Sequence, residues 1–360
     1  NLTLNGEEYA GNDVEAKIGN EYYTSFYDAA KNAQSGDVVE LLSDVSYDVW
    51  KSIRPKEDVT INGNGKVVTV NAIDSGLNGG GLFLNAKNLV INDLTVKLPE
   101  TPTSEMERIA TMYSGSLNNV TVTGGSFAVS ILGGDGDVVI DNCNFADING
   151  WAIETEGKGN TDLVISNSTF DEEAVILRGE NNTFTNNTIK KAGDGVNVLG
   201  NATITGNDFG DSTLGIDQGR TVTIEKNIIN NIEFPNWYGV VDEDYSNITA
   251  EVNTLSDEAA ASLSEKLEKD VVSVNPLAKL NDKVYYALAD AIADAQEGDT
   301  IDLLGNVVDL PEVNSDKITE DLTIENGTID ITNGVWKGNA IIEVYGGTAN
   351  DFVVATFNNV

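Results

Sequence analysis

Read from residue 120 to residue 231, the chain repeats one short phrase: apolar, polar, apolar, polar, a turn residue, two polar residues, then a large apolar residue. Copies occupy residues 120–127, 138–145, 163–170, 182–189, 202–209 and 222–229, and looser ones begin at Val59, Leu89 and Ile248. The alternation at the head of each copy is the period of a β-strand with one buried face. Its third position collects Ile61, Ile91, Val122, Ile140, Ile165, Phe184, Ile204 and Ile224 into an expected inward column. Two residues on stand Gly63, Asp93, Gly124, Asn142, Asn167, Asn186, Gly206 and Lys226. Most of these types tolerate a left-handed backbone, so a tight corner is predicted there. The eighth position, with Val96, Phe127, Phe145, Phe170, Ile189, Phe209 and Ile229, predicts a second inward ladder.

A further apolar run follows in most copies, at 128–132, 151–153, 174–177, 196–199 and 238–241. Strand, corner, strand and variable loop recurring about every twenty residues describe one turn of a solenoid. A single turn cannot bury its own apolar face, so stability has to come from stacking on neighbours at ~4.8 Å per turn. Asparagines at equivalent corners are expected to bond along the stack as a ladder. The phrase resembles the right-handed parallel β-helix repeat of the pectin-lyase-like superfamily, in the form found in bacterial secreted and cell-surface proteins, over residues 45–256. That resemblance implies an all-β fold, a three-sided right-handed parallel β-helix. It implies no single activity, because the superfamily includes polysaccharide lyases, glycoside hydrolases, phage tailspikes and adhesins.

Outside the repeat the pattern turns helical. From Ser25 to Gln34, residues Phe26, Ala29, Ala30 and Ala33 make one apolar helical face, Ser25 and Asp28 have capping-box spacing, and Gly36 stands where a helix stops. A strand at 38–42 follows, and residues 1–15 read as a polar lead-in, so 1–44 is expected to be a short α-helical cap over the open edge of the first turn. Residues 99–110 read as a loop. At Ser256 a helix begins, with Ser256 as N-cap, Asp257 and Glu258 at the positive end of the helix dipole and Lys266 and Lys269 at the other. This makes 257–277 a helical connector. After Pro276 the opening recurs: residues 16–45 align without a gap on 278–307, with twelve of thirty positions identical. The expectation for 278–360 is a partial second copy, cut off after about two turns, whose open end is available for self-association.

Composition narrows the function. The 360 residues carry 58 acidic and 21 basic side chains, a formal charge of −37. Such a surface repels phosphate backbones and anionic headgroups, so neither nucleic acid nor membrane insertion is expected. The chain has no histidine, which excludes histidine acid–base catalysis, Ser-His-Asp triads and histidine metal sites. Cys143, the one cysteine, stands beside the corner residue Asn142 without a basic neighbour and reads as a small turn residue. Matches to Asn-x-Thr, such as Asn119-Val-Thr121 and Asn201-Ala-Thr203, are generated by the repeat and read as ladder positions. Small, Asn-rich and cysteine-poor composition fits a bacterial exported protein, extracellular or at the cell surface.

The remaining chemistry lies on the solvent side of the second strand. Successive turns are expected to stack Glu154, Ile176, Asn197, Asp217 and Asp242 in one column, with Glu156, Arg178 and Leu199 in the next. Asp217 and Asp242, ~5 Å apart, would have the spacing of a retaining glycosidase pair. With Asp194 nearby, these acids also offer the oxygen ligands that Ca²⁺ takes, although no resident cofactor or metal centre is expected. An acidic protein has acidic solvent faces in any case. Comparison with enzymes of the superfamily weakens the catalytic reading: Arg54, Arg108, Arg178 and Arg220 stand in no lyase motif, and Asn160-Thr-Asp162 matches a hydrolase motif whose companion Gly-His-Gly is absent.

Aromatic residues suggest a different use. Trp237 and Tyr238 lie on a loop beside Asp242, and Trp151 lies near Glu154, which offers rings on which sugars stack; a core role suits a solenoid tryptophan equally well. The expected function is a non-catalytic, adhesin-like or glycan-binding surface module whose partner is a glycan or a surface protein. Its ligand residues would be Trp237, Tyr238, Trp151, Glu154, Glu156, Arg178 and Asn197. A polysaccharide-acting enzyme using Asp217 and Asp242 is the runner-up, and a passive stalk is the third reading.

Overall fold

The structure is a computed structural model that describes residues 2–4, 7–9, 14–74, 80–100, 107–134, 136–155, 161–171, 175–190, 193, 195–237, 243–281, 283–304, 306–308, 317–318, 322–330, 343–344, 355–358 and 360. Two compact units divide the chain: residues 1–251 with 255–271, and residues 252–254 with 272–360.

The first unit is a parallel β-helix with three strand segments to a turn. In one turn Val138–Asp141 and Asn144–Ala146 flank the corner at Asn142, and Ile153–Thr155 forms the third side. Val138–Asp141 pairs in parallel with Leu163–Ser166, then Asn182–Thr185, Ala202–Thr205, Val222–Glu225 and Ile248–Glu251. The register sets Ile140, Ile165, Phe184, Ile204 and Ile224 side by side, all fully buried. The second ladder includes Phe145, Phe170, Ile189 and Phe209: Phe145 stacks on Phe170 at 5.1 Å between ring centroids, and Phe184 of the first ladder reaches across the core to Phe170 at 5.9 Å and to Phe209 at 6.3 Å. Each buried ring contributes about 2–3 kcal/mol of apolar burial, which a single turn could not collect.

Corners form where the phrase places a residue that tolerates positive φ. Asn142, Asn167, Asn186 and Lys226 have φ of 52°, 52°, 54° and 57°, and Gly206 has 69°. One residue beyond the corner, Ser168, Asn187, Asn207 and Asn227 are buried and bonded in series. The Cys143 N–H donates to Ser168 Oγ, the Ser168 N–H to Asn187 Oδ1, the Asn187 N–H to Asn207 Oδ1 and the Asn207 N–H to Asn227 Oδ1, at 2.8–3.0 Å. The corner column itself bonds along the stack in the early turns, Asn119 donating to Asp93 at 2.7 Å and Asn142 to Asn119 at 3.3 Å, and the buried ladder runs inside it, offset by one residue. It satisfies backbone N–H groups that a corner would otherwise leave unpaired inside the core.

Several expected positions are corrected. In the turn built on Gly115–Thr123, Leu117 pairs with Ile140 while Val122 pairs with Phe145. The corner there is Asn119, φ 54°, rather than Gly124, and Val122 belongs to the second ladder. Phe127 is only half buried and outside that ladder, with its ring 4.7 Å from the Arg108 guanidinium. Gly63 is likewise not a corner; Asn64 and Gly65 carry the positive φ, and a Cβ on Gly63 would lie 2.4 Å from the Asp93 carbonyl oxygen. Residues 108–110, expected in a loop, open the strand Arg108–Met112.

The cap helix α1 (Phe26–Asn32) starts at Ser25, whose Oγ accepts the Asp28 N–H at 3.3 Å. Phe26, Tyr27, Tyr47 and Phe83 surround the fully buried Trp50, whose Nε1–H donates to the Leu82 carbonyl at 3.2 Å. Helix α2 (Asp257–Leu267) is capped by Ser256 Oγ, which accepts the Ala259 N–H at 3.0 Å, and it buries Ala259 and Leu263.

In the second unit the opening recurs with the same pairing. Ala16 faces Tyr23 and Leu41 in antiparallel register, and Ala278 faces Tyr285 and Leu303. Helix α3 (Leu288–Asp294) occupies the place of α1 but begins at Ala287, which has no side-chain cap. Leu322–Glu325 pairs in parallel with Asp299–Leu303 and with Ala355–Asn358.

Candidate functional site

The strands that follow the corner loops form an eight-stranded parallel sheet in the first unit, from Gly81–Ala86 to Asn231–Glu233. Alternation turns Val129, Ile153, Val175, Val196 and Leu214 inward, all fully buried. The residues between them face out. Register places Ser130 beside Glu154, Ile176 beside Asn197, Asn197 beside Gly215, and Gly215 beside Glu233, and Ile153 beside Val175 carries the column from Glu154 to Ile176. Glu154, Ile176 and Asn197 therefore stack as expected, but Asp217 does not. Val198 pairs with Ile216, so Asp217 continues past Leu199 in the neighbouring column with Arg178. The end of the column is filled by Glu233, because the strand added there is Asn231–Glu233 and not the 238–241 run. Asp242, Tyr238, Glu156 and Asp194 lie outside the described residues.

Asp217 is fully buried and Arg220 Nη2 stands 3.0 Å from its Oδ2. A catalytic carboxylate must reach substrate, and this one is sealed and ion-paired, which removes the geometry on which the nucleophile expectation rested. Its Oδ1 and Arg220 Nε are buried without a hydrogen bond, so the pair is held by one contact where a guanidinium fork could make two. At the other end of the column Arg108, 2% exposed, donates to Ser130 Oγ, lies 3.9 Å from Glu154 Oε2 and covers the Phe127 ring. Arg108 carried no sequence signal beyond being a rare arginine; what makes it part of this face is that its guanidinium bridges two turns.

Gly215 is where the face becomes specific. A Cβ built there would lie 2.6 Å from Asn197 Oδ1 and 3.3 Å and 3.6 Å from Trp237 Cη2 and Cζ2. The indole therefore rests close against the Gly215 backbone, where a side chain would crowd the ring and press into the Asn197 amide, and it remains 41% exposed. Among the described residues neither the Asn197 amide nor the Trp237 indole N–H has a hydrogen-bond partner. Ile176 is half exposed one turn below Asn197. Arg178 is exposed, its Nη1–H donating to the Thr155 carbonyl at 2.9 Å. The face thus joins an aromatic plate, an unengaged amide, an apolar rung and a guanidinium tied to backbone. Trp151, half buried just ahead of Ile153–Thr155, is not joined to this group by any contact found among the described residues.

Cys143 is buried, and burial pushes its thiol up to about 12, so it is an inert packing residue at a corner. Among the described residues no group of three or more acidic, cysteine or histidine side chains is placed to hold a metal ion, and no helix is long and apolar enough to cross a membrane.

Residues 112–264 match the family described as the right-handed beta helix region. No curated protein matches the chain. The match covers the turns from Met112 to α2 and gives the hand of the coil, so the fold is a right-handed parallel β-helix.

Proposed function

We propose that this protein is an exported, non-catalytic β-helix module that binds glycans on the outer face of its second sheet, in the manner of an adhesin. The observation that carries the reading is the half-exposed Trp237 ring laid over Gly215 beside the unengaged Asn197 amide. A sugar ring presents an apolar face bordered by hydroxyls, so it needs a flat aromatic surface with polar groups at its edge. Trp237 and Asn197 supply both. Turns repeat at ~4.8 Å, and the column Glu154, Ile176, Asn197, Gly215, Glu233 offers further contacts along one line. The sealing of Asp217 against Arg220 favours binding over hydrolysis. A partner recognised through sugars also suits a surface with a charge of −37, because it does not rely on anionic attraction.

The test is a glycan array probed with the wild-type protein and with Trp237→Ala, together with a reducing-sugar assay on every glycan bound. Binding that is lost in Trp237→Ala at an unchanged melting temperature, with no sugar released, supports the proposal. Turnover, or equal binding by both proteins, overturns it.

A further inference from the structure

We infer that Asn247 is an acceptor for an N-linked oligosaccharide. The chain carries the triplet Asn-x-Thr/Ser at Asn1, Asn119, Asn167, Asn181, Asn186, Asn201, Asn247 and Asn326, a type of signal that works only where the asparagine is reachable; Asn1 lies outside the described residues. The structure separates these positions. Asn119 donates its amide to Asp93 at 2.7 Å, Asn167 to Asp141 at 2.8 Å, Asn181 to Asp162 at 3.2 Å and Asn326 to Asp302 at 3.2 Å. Asn201 Oδ1 accepts the Thr221 N–H at 3.0 Å, and its triplet runs into Ala202–Thr205, which has a parallel neighbour on each side. Asn186 occupies an interior corner, and Thr188, the hydroxyl of its triplet, lies in a strand bridged to Thr169 and Asp208.

Asn119, Asn167, Asn181, Asn201 and Asn326 are exposed as well, and the Asn186 amide has no partner among the described residues; what sets Asn247 apart is that an exposed, unbonded amide adjoins a terminal strand. Asn247 is the third residue of the turn closed by the Ile248 N–H and the Tyr245 carbonyl at 3.1 Å, it is exposed, and its side-chain amide has no partner among the described residues. The strand it leads into, Ile248–Glu251, ends the long sheet and among the described residues pairs there with Val222–Glu225 alone. Thr249 is exposed, its hydroxyl donating only to Thr223 Oγ1 at a weak 3.4 Å. An edge strand held on one side can lift from its sheet at far lower cost than a central one, so this triplet can extend into an enzyme's groove.

The donor is an oligosaccharide on a polyprenyl diphosphate. Asn247 Nδ2 attacks the anomeric carbon, the N–C bond forms as the C–O bond to the diphosphate breaks, the polyprenyl diphosphate departs, and the amide proton passes to a base of the transferase. Nothing is oxidised or reduced. The modification requires the exported location proposed above but not the binding of glycans at Trp237.

The folded, purified protein is incubated with an oligosaccharyltransferase and its lipid-linked oligosaccharide, and intact mass and glycopeptides are read. With the Asn1 triplet removed by Asn1→Gln, the expected result is one added oligosaccharide at Asn247, lost in Asn247→Gln and in Thr249→Ala and kept in Thr249→Ser, with Asn119→Gln unchanged. Circular dichroism of each variant verifies folding. No addition to the folded protein, or addition first at Asn119, Asn167 or Asn181, overturns the inference. Because the reaction is carried out on purified protein, its failure is distinct from failure of the glycan-binding proposal.

Discussion

Asp217 Oδ2 lies 3.0 Å from Arg220 Nη2 with the carboxylate wholly buried, while the arginine side chain is about a third exposed. Removing the arginine strands a charge with no water, whereas removing the carboxylate leaves a cation that can still turn to solvent. Arg220→Ala is therefore expected to cost about 3 kcal/mol and Asp217→Asn clearly less, both read from urea unfolding. Glycan binding by folded Asp217→Asn should equal wild type. A lost binding signal in that variant would return Asp217 to the site.

The interior ladder makes a second prediction. Asn207 Oδ1 accepts from the Asn187 backbone and side-chain amides at 2.8 and 3.1 Å, and its own Nδ2 donates to the Phe184 carbonyl at 2.8 Å. Asn207→Ala leaves several of these groups unpaired and should destabilise the first unit by about 3 kcal/mol. Asn231→Ala, at an exposed strand end, should stay within ~0.5 kcal/mol. Equal effects in the two variants would show that the ladder carries no special weight.

Alkaline pH supplies a third. Burial pushes the Cys143 thiol up to about 12, and burial followed by the Glu243 carboxylate pushes the Tyr245 phenol up to about 12. Burial followed by Glu15 pushes Tyr47 higher still. These groups stay neutral in the folded chain at pH values where the unfolded chain ionises. Their contribution is complete below the ordinary values of 9.0 and 10.0 and is lost as pH rises toward 12. Urea midpoints should be flat from pH 7 to about 8.5 and fall thereafter, with Tyr245→Phe reducing the slope. A midpoint that rises above pH 9 would contradict the assignment.

A fourth prediction compares the two copies of the opening. Ser25 caps α1, whereas Ala287 leaves α3 without a side-chain cap. Ala287→Ser should stabilise the second unit by about 1 kcal/mol, seen as a higher midpoint for its calorimetric transition. No shift would mean that the first N–H groups of α3 already find other partners.

Much of this fold was readable because one physical demand recurs at each turn. Ile140, Ile165, Ile204 and Ile224 must point inward, and Asn142, Asn167 and Asn186 must accept positive φ, so the phrase marks itself. It failed where a strand runs on without a visible break. Gly115–Thr123 passes through its corner at Asn119 inside one continuous element, and Val120-Thr-Val-Thr-Gly imitates the head of a copy five residues too late. The candidate site was less legible, because its strands follow loops of unequal length and apolar content alone cannot set register. Asn231-Ile-Glu233 has one inward residue and left almost no pattern, so the more apolar run at 238–241 was read in its place, and Asp217 was set opposite Asn197 where the register puts Gly215. Trp237 was identified as a candidate from its loop; that it rests on Gly215 depends on contacts between turns, which no local pattern encodes.

The most direct test of the glycan-binding account is the indole N–H region of a ¹H–¹⁵N spectrum recorded while a glycan selected on the array is titrated in. Trp237, 41% exposed and laid on Gly215, should shift in proportion to occupancy, while Trp50, sealed among Phe26, Tyr27, Tyr47 and Phe83, should not move. Saturable binding with the Trp237 resonance unmoved would place the ligand elsewhere and contradict the account.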